Sequence, residues 1–495
     1  MNLHTLLECL HPSMTFPFLQ DIKNMEIKSI ENNHRKVIPG SLFVCIKGYT
    51  VDGHQFAQLA EENGAAAIIA EKPMTLSVPV IVVKNTKKAM SILADAFYGQ
   101  PSRRLHMIGV TGTNGKTTTS HLIEQIFADY GQQTGLIGTL YTKIGEALLE
   151  TSNTTPESLV LQKTFSQMLE QNVKTAVMEV SSHALVEGRV QGVDFNIAVF
   201  TNLTQDHLDY HKTMEAYKHA KGLLFSQLGN TFRYDEPKYA ILNVDDPASK
   251  DYLKETAVHI LTYAIDHHAD FQATSIKMTP SGTTFTLISP FGTHRIHMSL
   301  VGKFSVYNVL ASIAAAAASG IPIEKIAASV EKVKGVAGRF EMVHAGQHFS
   351  VIVDYSHTPD SLENALKTIR QFAKKKIYVV VGCGGDRDRT KRPLMAKIAC
   401  QYATDAIFTS DNPRSEDPVA IIHQMEEGVK GKRYKSFIHR KEAIEDAIFA
   451  AEADDVVLIA GKGHETYQQI GKIKFDFDDR LVAKEAIEKR LGKVQ

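Results

Sequence analysis

A glycine-rich turn between a strand and a helix, M-I-G-V-T-G-T-N-G-K-T-T-T at 107–119, constrains this chain more than any other part of it. Apolar residues before the turn predict a strand, and apolar residues at helical spacing after it predict a helix that ends near Gly131. Such a turn suits a triphosphate, because backbone N–H groups and the helix N-terminus attract phosphate, Lys116 adds a positive charge and a hydroxyl holds Mg²⁺. The standard spacing would place glycine where the chain has Val110, so this is a shorter G-T-N-G-K-T variant. A chance strand–glycine–helix order is the alternative, but the flanking elements favour a nucleotide-binding α/β domain.

Length and composition set the outer bounds. A chain of 495 residues has room for about three domains of ordinary size. Lysine plus arginine and aspartate plus glutamate both number 55, so the net charge of zero gives no support for a nucleic-acid partner. The 4 cysteines form no C-x-x-C pair and predict reduced thiols. Because the sequence shows no export signal and no long apolar run, we expect a cytoplasmic protein without membrane insertion.

The motifs and the pattern of strands and helices divide the chain into three segments. Residues 1–98 predict a small α/β domain without a catalytic cluster, which favours a binding module. The phosphate-binding turn belongs to a second α/β domain at 99–333. The run G-V-A-G-R at 335–339 marks the next boundary, and 334–495 predict a third domain in which strands and helices alternate. The predicted fold class is therefore α/β, with a small N-terminal, a central phosphate-loop and a C-terminal Rossmann-like domain.

Polar segments follow two predicted strands of the central domain. The strand T-A-V-M-E-V at 175–180 carries Glu179 near its end, and a carboxylate beside a phosphate loop suits Mg²⁺; a solvated strand edge is the alternative. The next strand leads into T-N-L-T-Q-D-H-L-D-Y-H at 201–211. His207 and His211 have the spacing of a helical zinc pair, but neither an H-E-x-x-H pattern nor a cysteine pair accompanies them. The aspartate, histidine and threonine content favours a hard metal or a nucleotide.

Four predicted strands of the C-terminal domain end in polar or glycine-rich turns, at 354–359, 382–387, 411–414 and 461–465. Ligands of open α/β sheets bind at the carboxyl ends of strands, so we expect these turns to converge on one crevice. The turn at 382–387 has Arg387 where a dinucleotide fingerprint has its third glycine. The turns therefore suit a charged small molecule better than a dinucleotide.

Taken together, these motifs resemble those of the Mur ligases, ATP-dependent amide-bond-forming enzymes of peptidoglycan synthesis. The resemblance covers nearly the whole chain, and its motifs follow in order: G-T-N-G-K-T-T-T at 112–119, N-T-T-P at 153–156, E-V-S-S-H at 179–183, T-N-L-T-Q-D-H-L-D-Y-H at 201–211, G-R-F-E at 338–341, D-Y-S-H-T-P-D at 354–360 and G-K-G-H-E at 461–465. Within the family, the chain is similar to enzymes that add the third residue of the stem peptide to UDP-N-acetylmuramoyl-L-alanyl-D-glutamate through an acyl phosphate. The resemblance implies ATP as co-substrate and Mg²⁺ as cofactor, and we expect a monomer.

The resemblance also implies roles for particular residues. The catalytic set would be Lys116, Glu179, His207 and Lys221. ATP would be bound by Gly112, Thr113, Asn114, Gly115, Lys116, Thr117, Thr118, Asn308 and Arg339. Mg²⁺ would be held by Thr117, Glu179, His207 and the carbamate of Lys221, a lysine that would otherwise be expected to be a solvated cation. The UDP-linked substrate would contact His34, Asn153, Thr154, Thr155, Ser181, Glu187 and Arg189. The incoming amino acid would contact Arg387, Asp411, Asn412, Pro413, Arg414, Gly461 and Glu465.

The run D-N-P-R at 411–414 bears on the choice of amino acid. meso-Diaminopimelate differs from lysine by a second carboxylate, which an arginine binds through two parallel hydrogen bonds. Family members with D-N-P-R resemble diaminopimelate-adding enzymes, and L-lysine is the alternative substrate. A folylpolyglutamate-type ligase would leave D-N-P-R unexplained, and a non-catalytic ATP-dependent switch is a further alternative. The chain departs from the family pattern at 33–35, where D-S-R is N-H-R, and at Glu187, where glutamine is usual.

Overall fold

The computed structural model describes residues 1–10, 25–48, 51–151, 153–231, 235–279 and 282–492. The N-terminal segment forms a parallel sheet in the order β1-β2-β3-β4. Its strands and helices are α1 (Leu3–Glu8), β1 (Ser29–Glu31), β2 (Ser41–Val44), α2 (Ala57–Glu62), β3 (Ala65–Ala70), β4 (Val80–Val82) and α3 (Thr86–Phe97), with 3₁₀ turns at His34–Lys36, Gly53–Phe56 and Pro101–Arg104. Helices α1 and α3 pack on one face and α2 on the other, so the strands are apolar on both sides.

A mixed sheet organises the central segment, with strand order β15-β14-β13-β12-β11-β10-β5-β9-β6-β7-β8. Its elements are β5 (His106–Thr111), α4 (Lys116–Asp129), β6 (Thr134–Ile137), β7 (Thr142–Ile144), β8 (Ala147–Leu149), α5 (Ser158–Glu170), β9 (Thr175–Glu179), α6 (Ser182–Val186), β10 (Ile197–Phe200), α7 (Leu208–His211), α8 (Met214–Ser226), a 3₁₀ turn (Leu228–Asn230), β11 (Tyr239–Asn243), α9 (Ser249–Glu255), β12 (His259–Ala264), β13 (Phe271–Thr279), β14 (Gly282–Ser289), β15 (Gly292–Met298), α10 (Lys303–Ala318) and α11 (Ile323–Lys332).

The strand order explains why distant segments meet. Strand β5 lies between β9 and β10, and all three run parallel. The register pairs Val110 with Glu179 on one side and Thr111 with Phe200 on the other. Because parallel neighbours end at the same edge, the phosphate turn, the end of β9 and the segment after β10 are brought together.

The alanine-rich helix α10 packs against α4 over the same face of the sheet. Its small side chains at 314–317 are buried and allow the two helices to approach closely. Ser312 Oγ donates to the Thr119 carbonyl at 3.3 Å, and Thr119 Oγ1 donates to Asn308 Oδ1 at 3.3 Å. This packing places Asn308 beside the phosphate turn.

The C-terminal segment forms a third sheet in the order β16-β17-β21-β18-β19-β20, with β22 and β23 as a separate hairpin. Its elements are β16 (Glu341–Met342), β17 (Ser350–Asp354), α12 (Pro359–Phe372), β18 (Ile377–Cys383), α13 (Lys391–Tyr402), β19 (Asp405–Ser410), α14 (Pro418–Glu426), a 3₁₀ turn (Glu427–Val429), β20 (Lys435–Phe437), α15 (Arg440–Ala450), β21 (Val456–Ala460), β22 (Tyr467–Ile470), β23 (Ile473–Asp476) and α16 (Asp479–Arg490). The α/β fold class predicted from the sequence is confirmed. Across the described ranges, no helix combines the length and apolar character that a bilayer crossing requires.

Candidate active site

The phosphate turn after β5 depends on glycine at two positions. Gly112 has φ +149°, and a Cβ there would lie 1.8 Å from Thr201 Oγ1. Gly115 has φ +84°, and a Cβ there would lie 2.4 Å from Asn308 Oδ1. Glycine fits both positions because it tolerates positive φ and adds no atoms to the close contacts. The turn therefore packs against the segment after β10 and against α10 before the chain enters α4.

Lys116 and Lys221 both donate to the carbonyl of Gly112. Lys116 Nζ lies 2.9 Å from that oxygen and 2.9 Å from the Thr113 carbonyl. Lys221 Nζ reaches the Gly112 carbonyl from α8 at 2.7 Å and lies 4.5 Å from the centre of the Tyr217 ring. Burial lowers the pKa of Lys116, and burial together with the charge of Lys116 lowers the pKa of Lys221 well below its usual range. The expectation of a solvated Lys221, based on local sequence, is wrong, because α8 packs this side chain beneath the turn with only 1% of it exposed.

Thr117 and Glu179 form the hydroxyl–carboxylate pair beside the turn. Thr117 Oγ1 donates to Glu179 Oε2 at 3.1 Å, and Thr139 donates to both Glu179 oxygens, through its N–H at 2.8 Å and its hydroxyl at 3.0 Å. Arg339 Nη2 donates to Thr117 Oγ1 at 2.9 Å. The alternative of a solvated strand edge is wrong for Glu179, which is fully buried.

His207 lies next to Asp206, a buried carboxylate that the sequence analysis did not single out. His207 Nε2 is 3.4 Å from Asp206 Oδ2, and His357 Nε2 approaches the same oxygen from the C-terminal segment at 3.6 Å. Burial raises the pKa of Asp206, but His357 and His207 outweigh it and hold that pKa well below its usual range. Burial lowers the pKa of His207 to about 3. The D-H-L-D run within 201–211 was the available signal for Asp206.

The zinc alternative finds no support in the described side chains. His211 Nε2 lies 2.9 Å from Ser182 Oγ, so this ring nitrogen is hydrogen-bonded to a residue of α6. The rings of His183 and His207 meet edge to face at 4.9 Å. Among the residues that the structure describes, no group of three or more histidine, cysteine, aspartate or glutamate side chains forms a metal cluster.

A cavity of about 1140 Å³ opens between the central and C-terminal segments. Most of the residues predicted to bind ATP line it, namely Thr113, Asn114, Gly115, Lys116, Thr117, Thr118, Asn308 and Arg339. Glu179, His207 and Thr154 also line it, as do Asp245 and Tyr307, whose hydroxyl donates to Asp245 Oδ2 at 2.7 Å. Asn114 Nδ2 donates across the cavity to Asp360 Oδ2 at 2.8 Å, which links the phosphate turn to α12. A cavity of this volume accommodates a nucleotide.

Among the residues predicted to contact the UDP-linked substrate, Thr155, Ser181 and Arg189 are joined by hydrogen bonds. Arg189 Nη1 donates to the Thr155 carbonyl at 3.0 Å, and the Ser181 N–H donates to Thr155 Oγ1 at 3.0 Å. Arg189 and Glu187 line a small cleft together with Asn32, which the sequence analysis missed because no motif marks it. Of the remaining members of this set, Asn153 is exposed, Thr154 Oγ1 lies 3.1 Å from Thr139 Oγ1, and Glu187 is bonded to Lys87 and Tyr210. His34 does not line this cleft; its ring stacks on Phe56, with the ring centres 4.4 Å apart.

The four C-terminal turns meet as expected, because β17, β21, β18 and β19 are neighbours in the sheet. A Cβ at Gly461 would lie 2.6 Å from Asp411 Oδ2 and 3.7 Å from the Gly382 carbonyl. Asn412 Nδ2 donates to Glu465 Oε2 at 2.7 Å, and the buried Lys462 donates to the same oxygen at 2.9 Å. Lys462 is a polar core residue that the sequence analysis did not assign, although it lies within the G-K-G-H-E motif.

Arg414 is held at the edge of this group in a left-handed backbone conformation, with φ +51°. Its Nη1 donates to the Gly385 carbonyl at 2.7 Å, and its backbone pairs with the hairpin at Gln469 and Gly471. Pro413 is buried, and Arg387 is exposed, with Nη1 on the Asp386 carbonyl at 2.9 Å.

Aromatic rings connect the two regions. The guanidinium of Arg339 lies 4.5 Å from the centre of the Tyr355 ring, and that ring lies 5.1 Å from the ring of His464. The cavity and the C-terminal turns are thus adjacent in this structure.

Family models match three successive parts of the chain. The model described as the Mur ligase family catalytic domain matches residues 26–98, the Mur ligase middle domain matches 110–316, and the glutamate ligase domain of the Mur ligases matches 338–463.

The similarity to known proteins covers nearly the full length of this chain. The chain is 60% identical to a UDP-N-acetylmuramoyl-L-alanyl-D-glutamate–2,6-diaminopimelate ligase from Bacillus cereus, over 99% of both chains. A solved structure of a ligase with the same name matches with a TM-score of 0.71 and 34% identity, covering 98% of this chain and 99% of the other. A MurF ligase from Thermotoga maritima in complex with ADP shares the fold, with a TM-score of 0.62 and 18% identity over 95% of this chain and 98% of its own.

Proposed function

Because the chain belongs to the Mur ligase family, we propose that it joins meso-diaminopimelate to UDP-N-acetylmuramoyl-L-alanyl-D-glutamate, with cleavage of ATP to ADP and phosphate. The observation that carries the proposal is the 60% identity to a 2,6-diaminopimelate ligase across 99% of both chains. The enzyme class that follows is an ATP-dependent amide-bond-forming ligase of peptidoglycan synthesis. The lysine-adding and folylpolyglutamate-type alternatives are not favoured.

In the first step, a γ-carboxylate oxygen of the substrate's D-glutamate attacks the γ-phosphorus of ATP. The bond from this phosphorus to the β,γ-bridging oxygen breaks, ADP leaves with the electron pair, and an acyl phosphate forms. Lys116 and Arg339 supply positive charge next to the turn, where negative charge develops on the transferred group. Arg339 is already oriented by Thr117 and by the Tyr355 ring, so little reorganisation is needed when ATP binds.

The hydroxyl of Thr117 and the carboxylate of Glu179 are hard oxygen donors at the phosphate turn, a set that fits Mg²⁺. We propose that Thr117, Glu179, His207 and a carbamate on Lys221 hold the ion, which when bound neutralises phosphate charge. The lowered pKa of Lys221 supports the modification, because the unprotonated amine is the form that reacts with carbon dioxide. Asp206, beside His207, adds a negative charge that the sequence analysis had not assigned to the site.

In the second step, the amine nitrogen of diaminopimelate attacks the acyl carbon. The tetrahedral intermediate expels inorganic phosphate, and the nitrogen loses a proton to complete the amide. We assign the binding of the amino acid to the turns that carry Asn412, Arg414 and Glu465. There, Asn412 donates to the Glu465 carboxylate and the Arg414 guanidinium donates to the Gly385 carbonyl. Arg414 would bind the second carboxylate that distinguishes diaminopimelate from lysine.

A phosphate-release assay tests the proposal. The UDP-muramoyl dipeptide, ATP and Mg²⁺ are combined with diaminopimelate, L-lysine or L-glutamate in turn. We expect diaminopimelate to stimulate phosphate release and the other two to have little effect. Stimulation by lysine would favour the lysine-adding class, stimulation by glutamate a folylpolyglutamate-type enzyme, and ATP binding without any stimulated release a non-catalytic switch. Monomeric state and a cytoplasmic location complete the proposal.

A further inference from the structure

The side chain of Lys462 is fully buried among the residues assigned to amino-acid binding. Its Nζ donates to Asn412 Oδ1 at 3.1 Å and to Glu465 Oε2 at 2.9 Å. We propose that Lys462 is a positioning residue: it holds Asn412 and Glu465 in the arrangement that receives the ammonium group of the incoming amino acid. The inference rests on the function proposed above and adds a residue that acts on substrate only through its neighbours.

The amide of Asn412 has one orientation in this network. Its Oδ1 accepts from Lys462 Nζ and from the backbone N–H of Gln469 at 2.9 Å. Two donors at one atom require that atom to be the oxygen, so Nδ2 is turned toward Glu465, to which it donates at 2.7 Å. Lys462 is thus one of the two donors that fix which way the amide faces, and this orientation directs Nδ2 to Glu465.

The two oxygens of the Glu465 carboxylate differ in their hydrogen bonds. Its Oε2 accepts from both Lys462 and Asn412. From the residues that the structure describes, no hydrogen bond reaches its other oxygen, Oε1. With the group fixed through Oε2, Oε1 is available to a donor from outside, and an ammonium is the donor that a carboxylate binds best.

Because Lys462 is buried, it can position its neighbours but cannot contact the substrate itself. With none of its surface exposed, its ammonium has no route to a ligand, while 14% of the Glu465 side chain remains accessible. A buried charge is stable only when it is paired, and Glu465 is its ion-pair partner, with the Tyr467 ring centre 5.4 Å from Nζ. Without Lys462, Glu465 would lose its counter-charge and Asn412 one of the two donors that orient it.

The test is a double-mutant cycle on the full-length enzyme with Lys462→Met, Glu465→Gln and the pair of substitutions. For Lys462→Met we expect the KM for diaminopimelate to rise by roughly tenfold or more, the loss of about one charge-assisted contact. The kcat at saturating amino acid and the KM values for ATP and the UDP-linked substrate should change by less than about threefold. Lys474→Met is the matched control, because Lys474 lies 4.0 Å from the same Tyr467 ring but is exposed on the hairpin; we expect wild-type kinetics from it.

The cycle separates positioning from general stability. If Lys462 acts through Glu465, then Lys462→Met in the Glu465→Gln background should raise KM by much less than it does alone. Independent effects that multiply, or a uniform change in kcat and all KM values, would overturn the proposal. Lys462→Gln, which keeps a donor without the charge, is measured in parallel and decides the question if the methionine variant does not fold. If the wild-type enzyme prefers another amino acid, the proposed function fails. The double-mutant cycle is then measured with that amino acid, because it also carries an ammonium group.

Discussion

Replacing Arg414 with alanine tests the assignment of amino-acid specificity most directly. The Arg414 guanidinium has five N–H donors, and the structure commits Nη1 to the Gly385 carbonyl at 2.7 Å. That contact orients the group before substrate arrives and leaves further donors for a carboxylate. A hydrogen bond to a charged group contributes about 1.5–3 kcal/mol, so Arg414→Ala should lower kcat/KM for diaminopimelate by roughly 10- to 140-fold.

The assay is steady-state phosphate release with diaminopimelate and L-lysine as competing choices. L-Lysine lacks the second carboxylate, so we expect a much lower kcat/KM for it in the wild type and a change of less than about twofold in Arg414→Ala. The ratio of kcat/KM for diaminopimelate to that for lysine should therefore fall in the variant. Arg389→Ala is the matched control: Arg389 lies 3.1 Å from Glu416, its side chain is 63% exposed, and we expect wild-type kinetics from its removal. Unchanged diaminopimelate kinetics in Arg414→Ala, or an equal loss in Arg389→Ala, would refute the reasoning.

Three further predictions concern the frame around the site. Asp360→Ala should raise the KM for ATP by roughly fivefold in steady-state assays, because it removes the contact with Asn114, and Glu363→Ala on the same helix should not. Arg440→Met should destabilise the C-terminal segment by about 3–5 kcal/mol in denaturant unfolding, because it leaves Asp479 buried without its partner; Arg440→Met with Asp479→Leu should recover most of the loss. Burial lowers the pKa of His106 from 6.5 to about 4. The contribution of the neutral His106 to the free energy of unfolding is therefore fully present above pH 6.5 and is lost as the pH falls toward 4. The Tm of the wild type should therefore drop more between about pH 7 and pH 5 than that of His106→Gln; parallel slopes would contradict this.

The regular elements follow from local patterns in the sequence. The strand predicted at 175–180 is β9, and the helix predicted after the phosphate turn to end near Gly131 is α4, each within a few residues. Such elements are predictable because side-chain period, glycine stops and backbone hydrogen bonds all act within a few residues of one another. The four polar turns could be assigned to one edge for the same reason, since parallel strands place their carboxyl ends together.

Contacts between distant segments were not predictable in this way. Asn114 and Asp360 are 246 residues apart and meet only because the C-terminal segment packs over the phosphate turn. The burial of Lys221 depends on how α8 lies beneath Gly112, and local sequence alone favoured a solvated cation. Asn32 carries no motif, yet it shares a cleft with Glu187 and Arg189.

By itself, the sequence of this protein determined the α/β class, the phosphate turn and the ordered motifs of a Mur ligase, because each depends on residue types at short, fixed spacings. Only the tertiary structure decided which charges are buried and what they face. Burial is a property of packing among segments far apart in the chain, and it changes both the pKa and the available partners of a side chain. Lys462 illustrates the difference: its acceptor Glu465 belongs to the same five-residue motif, but it meets its second acceptor, Asn412, only because β19 and β21 end at the same edge of the sheet.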